Sequence, residues 1–181
     1  MRKPSLILGV SVGAALVVLA APARADRSII KHPGRHPPYH FEIEPHALLG
    51  FGGPLGGPFE RGHAELGAGA RATITIVKNG FVRSINNSVG IGFGADFYFD
   101  RDFKNDVIHV PVAMQWNFWL TRRWSVFGEP GVGFHVRPRG GRGDLLGPIL
   151  MAGGRFHFTR RVALTMRIGY PSVSVGLSLL L

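Results

Sequence analysis

The sequence contains no cysteine. Disulfides and thiolate metal sites are therefore excluded, and stability has to come from a packed interior or from the surrounding medium. Helical periodicity is missing from residue 41 onward. No apolar run after the first 21 residues reaches the roughly 20 residues that a membrane-crossing helix needs. The Gly-rich stretch "RPRGGRGD" (137–144) follows no strand-then-helix pattern, so it is no phosphate loop of a nucleotide enzyme. No His-x-Ser pair occurs of the kind a lipid A deacylase-like site would want.

What is present begins with Arg2 and Lys3, an apolar stretch from Leu6 to Ala21, then Pro22 and Ala23-Arg24-Ala25. This order describes a bacterial secretory signal peptide over residues 1–25, cleaved after Ala25. Cleavage leaves 156 residues, enough for one domain. Loss of Arg2, Lys3 and Arg24 lowers the formal net charge from +10 to +7. Export and the expected lack of a clustered basic face argue against a nucleic-acid partner. Residues 26–40, "DRSIIKHPGRHPPYH", are polar and Pro-interrupted, and are expected to form a flexible lead. Its His32, His36 and His40 are spaced for a helix that these prolines disfavour.

From Phe41 the period is two. Ile108, Val110, Val112, Met114, Trp116, Phe118 and Leu120 alternate with His109, Pro111, Ala113, Gln115, Asn117 and Trp119. Side chains alternate across a strand, so such a segment has one apolar and one largely polar face. Eight segments of this kind are expected, at about 41–52, 64–77, 89–100, 107–120, 124–137, 145–158, 162–170 and 172–181. Short connections between them require an antiparallel meander. The inner connection 78–88 is long, and Asn79-Gly80 raises the expectation that strand three begins earlier, with a kink at Asn86-Asn87.

Two closed barrels fit eight alternating strands. A lipocalin-like soluble barrel turns its apolar face inward; an outer-membrane barrel turns it outward to lipid. The polar set holds Glu42, Glu44, Arg71, Asp96, Glu129, His135, Arg137, Arg155, His157 and Arg167 among many glycines, which suits a narrow filled lumen. The expected fold class is an all-β, eight-stranded antiparallel up-and-down transmembrane β-barrel over residues 41–181. With the N-terminus on the periplasmic side, Trp116, Phe118, Trp124, Phe156 and Phe158 fall at the inner rim. Phe51, Phe97, Phe99, Phe134 and Tyr170 fall at the outer rim, giving the two lipid-interface girdles such barrels carry. The repeated Thr-Arg-Arg at 121–123 and 159–161 then marks two inner turns.

Signal peptide, eight amphipathic segments and "VPVAMQWNFWLTRRWSVFGEPGVGF" together resemble the small outer-membrane β-barrel superfamily of OmpA- and OmpW-like proteins of Gram-negative bacteria. The resemblance implies outer-membrane localisation, insertion by the barrel-assembly machinery, and contact with outer-membrane lipids and lipopolysaccharide. Members usually end on an aromatic residue, whereas this chain ends on Leu181.

The lumen network expected from sequence comprises His109, Glu129, His135, Arg137, Arg155, His157 and Arg167. In it His109, Glu129, His135 and His157 approach one another, as an acid/base or metal site or as a set of paired buried charges. The second is favoured because isolated buried charges are costly, with Arg137, Arg155 and Arg167 as partners of Glu129. No catalytic residue, cofactor or metal is expected. The arginines of loop 137–144 are expected to meet lipopolysaccharide phosphates. The functional expectation is a structural or surface-interaction barrel; alternatives are a narrow pore or carrier for small apolar solutes, a lipocalin-like binder, or a lipopolysaccharide-modifying enzyme.

Overall fold

The structure is a computed structural model that describes residues 27–51, 64–99, 107–136 and 146–181. The signal segment with its Ala25 cleavage position, and Arg137 with the whole of loop 137–144, lie outside the described residues. Eight strands form: β1 (Phe41–Phe51), β2 (Ala64–Val77), β3 (Asn87–Phe99), β4 (Val107–Trp119), β5 (Trp124–Val136), β6 (Leu146–His157), β7 (Val162–Tyr170) and β8 (Ser172–Leu180). Each pairs antiparallel with its neighbour in sequence, and β1 also pairs with β8, so the sheet closes on itself. No helix forms among the described residues. Strand three starts at Asn87, two residues before the segment read from alternation, but does not extend back to the Asn79-Gly80 signal. Residues 78–86 instead make a folded connection, with the Asn87 amide donating to the carbonyls of Val82 (2.7 Å) and Ile85 (2.8 Å).

The two faces of the barrel differ as the alternation requires. The polar members point inward: Glu42, Glu44, Asp96, Glu129, Arg155 and Arg167 are all buried. The apolar members point outward and stay uncovered, for example Leu66 at 69 %, Leu150 at 66 % and Ile168 at 67 % exposure. This is the reverse of a lipocalin-like barrel, whose apolar face lines a ligand cavity. Close packing of the interior explains two glycines. A Cβ on Gly133 would sit 1.9 Å from His109 Nε2, and one on Gly69 only 2.4 Å from Asp96 Oδ1. At both positions a large polar side chain from the neighbouring strand lies over the glycine, in the space a Cβ would take.

Two Thr-Arg-Arg turns join β4 to β5 and β6 to β7 in the same way. Thr121 Oγ1 accepts hydrogen bonds from the backbone N–H of Arg123 (3.1 Å) and Trp124 (3.0 Å). Thr159 Oγ1 accepts from Arg161 (3.1 Å) and Val162 (3.0 Å). A hydroxyl that satisfies backbone donors in a tight turn is a local device that needs no packing. It leaves the two following arginines exposed.

Candidate functional site

The inward faces of the strands carry one connected set of polar side chains. At the end where β1 begins, Arg155 donates to Asn117 Oδ1 (2.6 Å) and Glu42 Oε2 (2.9 Å). Asn117 donates to Gln115 Oε1 (3.1 Å), and Gln115 donates to Glu129 Oε1 (2.7 Å). Glu129 is the hub. It accepts from Arg167 through Nε (2.8 Å) and Nη2 (3.2 Å), a fork-on-carboxylate contact, and from Arg71 Nη1 (3.1 Å). Arg167 also donates to Glu44, which Ser178 supports at 3.2 Å. Arg71 reaches on to Asp96 Oδ2 (3.4 Å), which His109 Nδ1 meets at 3.3 Å and His46 Nε2 meets on Oδ1 at 2.8 Å.

Four carboxylates therefore interleave with three guanidiniums. Two of the latter lie over the Phe127 ring, Arg155 Cζ at 4.4 Å and Arg167 Cζ at 5.1 Å from its centroid. Cations over an aromatic face are attracted to it. Burying such groups without partners would cost several kcal/mol each. Pairing keeps them in place without making the lumen a strong source of stability.

The expected four-residue cluster does not assemble. His109 stacks on His135, ring centroids 4.7 Å apart, and both belong with Asp96 near the end where β1 finishes. Glu129 sits in the middle. His157 lies at the other end, where its Nε2 is 3.1 Å from Ser125 Oγ and its ring is 5.0 Å from Trp119. The partners of Glu129 also differ from expectation: Arg167 is one, Arg71 is the other, and Arg155 goes to Glu42. Cross-lumen distances depend on the stagger of the closed barrel, which periodicity along one strand does not report. His46 was not singled out from sequence, although its place between Glu44 and Leu48 on the inward side of β1 was readable. Among the described residues, no group of three His, Asp or Glu side chains has a geometry for holding a metal ion.

The lead has defined contacts, unlike the flexible segment expected. Ile29 N donates to Leu120 O (2.9 Å), Asn86 N to Ile30 O (2.6 Å), and Thr75 N to His40 O (2.9 Å). Ile29 and Tyr39 pack with Trp119 and Leu180 across the mouth of the barrel, and His36 stacks on Trp119 at 5.4 Å. Burial raises the Tyr39 phenol above its ordinary range. Isolated apolar anchors in a Pro-rich segment carry no period, so composition alone suggested disorder.

The aromatics separate into two rims. Trp116 and Phe118 (4.9 Å), Trp124 and Phe156 (5.0 Å), and Phe156 and Phe158 (5.2 Å) contact one another at the lead end, joined by Phe81 beside Trp116 (5.7 Å). Phe51, Phe97, Phe99, Phe134 and Tyr170 occupy the opposite end of their strands. Charge is unevenly placed as well. Outside the lumen, the lead end carries Arg27, Lys31, Arg35, Lys78, Arg83, Arg122, Arg123, Arg160 and Arg161, and no acid among the described residues.

No family model matches the chain, and no curated protein matches it. Solved structures are similar to it over most of its length. One is "De novo design of transmembrane beta-barrels", at 12 % identity over 84 % of this chain and 99 % of that one, TM-score 0.44. Another is the solution NMR structure of the de novo designed TMB2.3, at 13 % identity over 80 % and 95 %, TM-score 0.47. A third is the Yersinia pestis outer membrane protein Ail in a phospholipid bilayer nanodisc, at 11 % identity over 78 % and 99 %, TM-score 0.45.

Proposed function

We propose that this protein is a small outer-membrane barrel of a Gram-negative bacterium, with a structural or surface-interaction role and a lumen closed to solutes. The observation that carries the reading is the unbroken polar chain from Glu42 to Asp96, which ties six of the eight strands together across the interior. The membrane part rests on the exterior. An apolar surface wrapped around every strand and rimmed by aromatics matches lipid, whereas in water so large a patch would drive association. Outer-membrane lipids and lipopolysaccharide are the partners this surface suits, and the barrel-assembly machinery is the route of insertion the fold class implies. A signal peptide cleaved after Ala25 provides export. The reading assigns no reaction and no cofactor to the barrel.

Fractionation and electrophoresis test the membrane half. The protein is expected in the outer-membrane fraction and to migrate differently before and after boiling; recovery as a detergent-free soluble species would overturn the reading. Planar-bilayer recording tests the lumen. No stable single-channel steps are expected, and steps that change on altering Glu129 or Arg155 would favour a narrow pore instead.

A further inference from the structure

The lead and the two Thr-Arg-Arg turns enclose a cavity of about 330 Å³ at the basic end of the barrel. One wall is Arg35 with Pro37 and Pro38 of the lead, and the facing walls are Arg122 and Arg160 from the two turns. Gly34, at φ 77°, takes the left-handed conformation that turns the lead at this point, next to the His32–Arg35 backbone hydrogen bond of 3.2 Å. His157 also lines the cavity. It is 3 % exposed, and its Nδ1 has no hydrogen-bond partner among the described residues. A buried ring nitrogen without a partner at the wall of an otherwise cationic cavity calls for a polar ligand. Phe158, at 57 % exposure, also lines the cavity and contacts Phe156, which contacts Trp124, in the outward aromatic row.

We propose that this cavity binds the phosphate headgroup of an anionic phospholipid in the leaflet at the lead end, with the acyl chains running out along Phe158 and Phe156. Three features select that ligand class. The walls supply guanidinium groups from three separate segments and no carboxylate, which suits a phosphate. The volume is at the small end of ligand pockets, about 300–1,000 Å³, so a headgroup fits and two acyl chains do not. The lining includes Phe158, an outward residue of the apolar exterior, beside the inward His157. The fixed Thr hydrogen bonds hold the arginine-bearing turns at the rim, so the cationic site is built before the lipid arrives.

The inference rests on the membrane reading, and its test separates the two. The full chain is reconstituted into nanodiscs of phosphatidylcholine doped with phosphatidylglycerol, and lipid retained after detergent extraction is counted by native mass spectrometry. Heat-modifiable migration is followed on the same samples; failure to fold in any bilayer would count against the barrel, not the site. Retention should favour phosphatidylglycerol by about tenfold or more. The preference should vanish in R35Q/R122Q/R160Q and persist in R27Q/K78Q/R83Q, which removes equal charge from the same end away from the cavity. Equal loss in both triple variants, or no preference in the unaltered protein, would overturn the proposal. So would displacement of the retained lipid by an equal concentration of glycerol 3-phosphate, which would point to a soluble phosphate ligand. Should the cavity variant not fold, R160Q alone is read, with a reduced preference expected and an unchanged one counting against the site.

Discussion

At the lead end the lumen is closed by residues from outside the barrel wall: Ile29 and Tyr39 lie against Trp119 and Leu180. At the opposite end Leu48, Tyr98 and Val107 pack together at neighbouring register positions of the wall, from β1, β3 and β4. Between these apolar layers runs the ionic chain. The second layer comes with strand pairing and cannot be removed without disturbing it. The first is added by a segment whose contacts to the barrel are a few hydrogen bonds and the side chains of Ile29, His36 and Tyr39, so it can detach while the sheet remains intact. Among the described residues, one apolar layer is therefore added to the barrel and the other belongs to its strands.

The largest effect should come from the layer that both ends protect. Arg167→Met removes the partner of Glu129 and Glu44 at once and leaves two buried carboxylates undercompensated. A loss of about 3–5 kcal/mol is expected from breaking a buried charge pair. Denaturant titration of the refolded barrel, followed by its heat-modifiable band, measures it. A shift under about 1 kcal/mol would mean that water reaches these groups and that the lumen is not sealed.

Next should come the two apolar layers, compared directly. Leu48→Ala opens a cavity among strand residues that cannot collapse, at a cost of about 2–4 kcal/mol. Ile29→Ala should cost only about 1–2 kcal/mol, because local undocking of the lead limits the penalty. The same substitution should red-shift Trp119 fluorescence when Trp116 and Trp124 are replaced by Phe, while Leu48→Ala should leave it unchanged. If Ile29→Ala proves the more destabilising, the lead is part of the barrel's folding unit and the contrast between the ends fails.

What the sequence made legible follows the same division. Observed strand bounds lie within two residues of those read from the alternation, because period two is a property of each strand alone. Inward placement of Glu42, Arg71, Asp96 and Arg155 follows from that parity. Their pairing does not. Arg167 on β7 meets Glu44 on β1 and Glu129 on β5, contacts fixed by closure and stagger rather than by any local signal. The lead was opaque for another reason: Ile29 and Tyr39 are single anchors separated by polar and Pro residues, without periodicity to mark them as buried.

The smallest effect concerns the repeated Thr-Arg-Arg. If both threonines serve the turns alone, Thr121→Ala and Thr159→Ala should each cost about 0.5–1.5 kcal/mol, the usual net value of an intramolecular hydrogen bond. The two turns lie in different hairpins, but Arg123 O accepts from His157 N (2.8 Å) just before the second turn, so any departure of the double variant from the sum measures their coupling. Replacement by Ser keeps the hydroxyl and should restore most of the loss in each case. The cavity sharpens this test, because Thr159 lines it whereas Thr121 does not. With phosphatidylglycerol present the Thr159→Ala penalty should grow, since a loosened turn would misplace Arg160, and the Thr121→Ala penalty should grow less. Equal penalties in neutral and anionic bilayers would leave both threonines as turn-formers only and would separate the repeat's structural role from lipid binding.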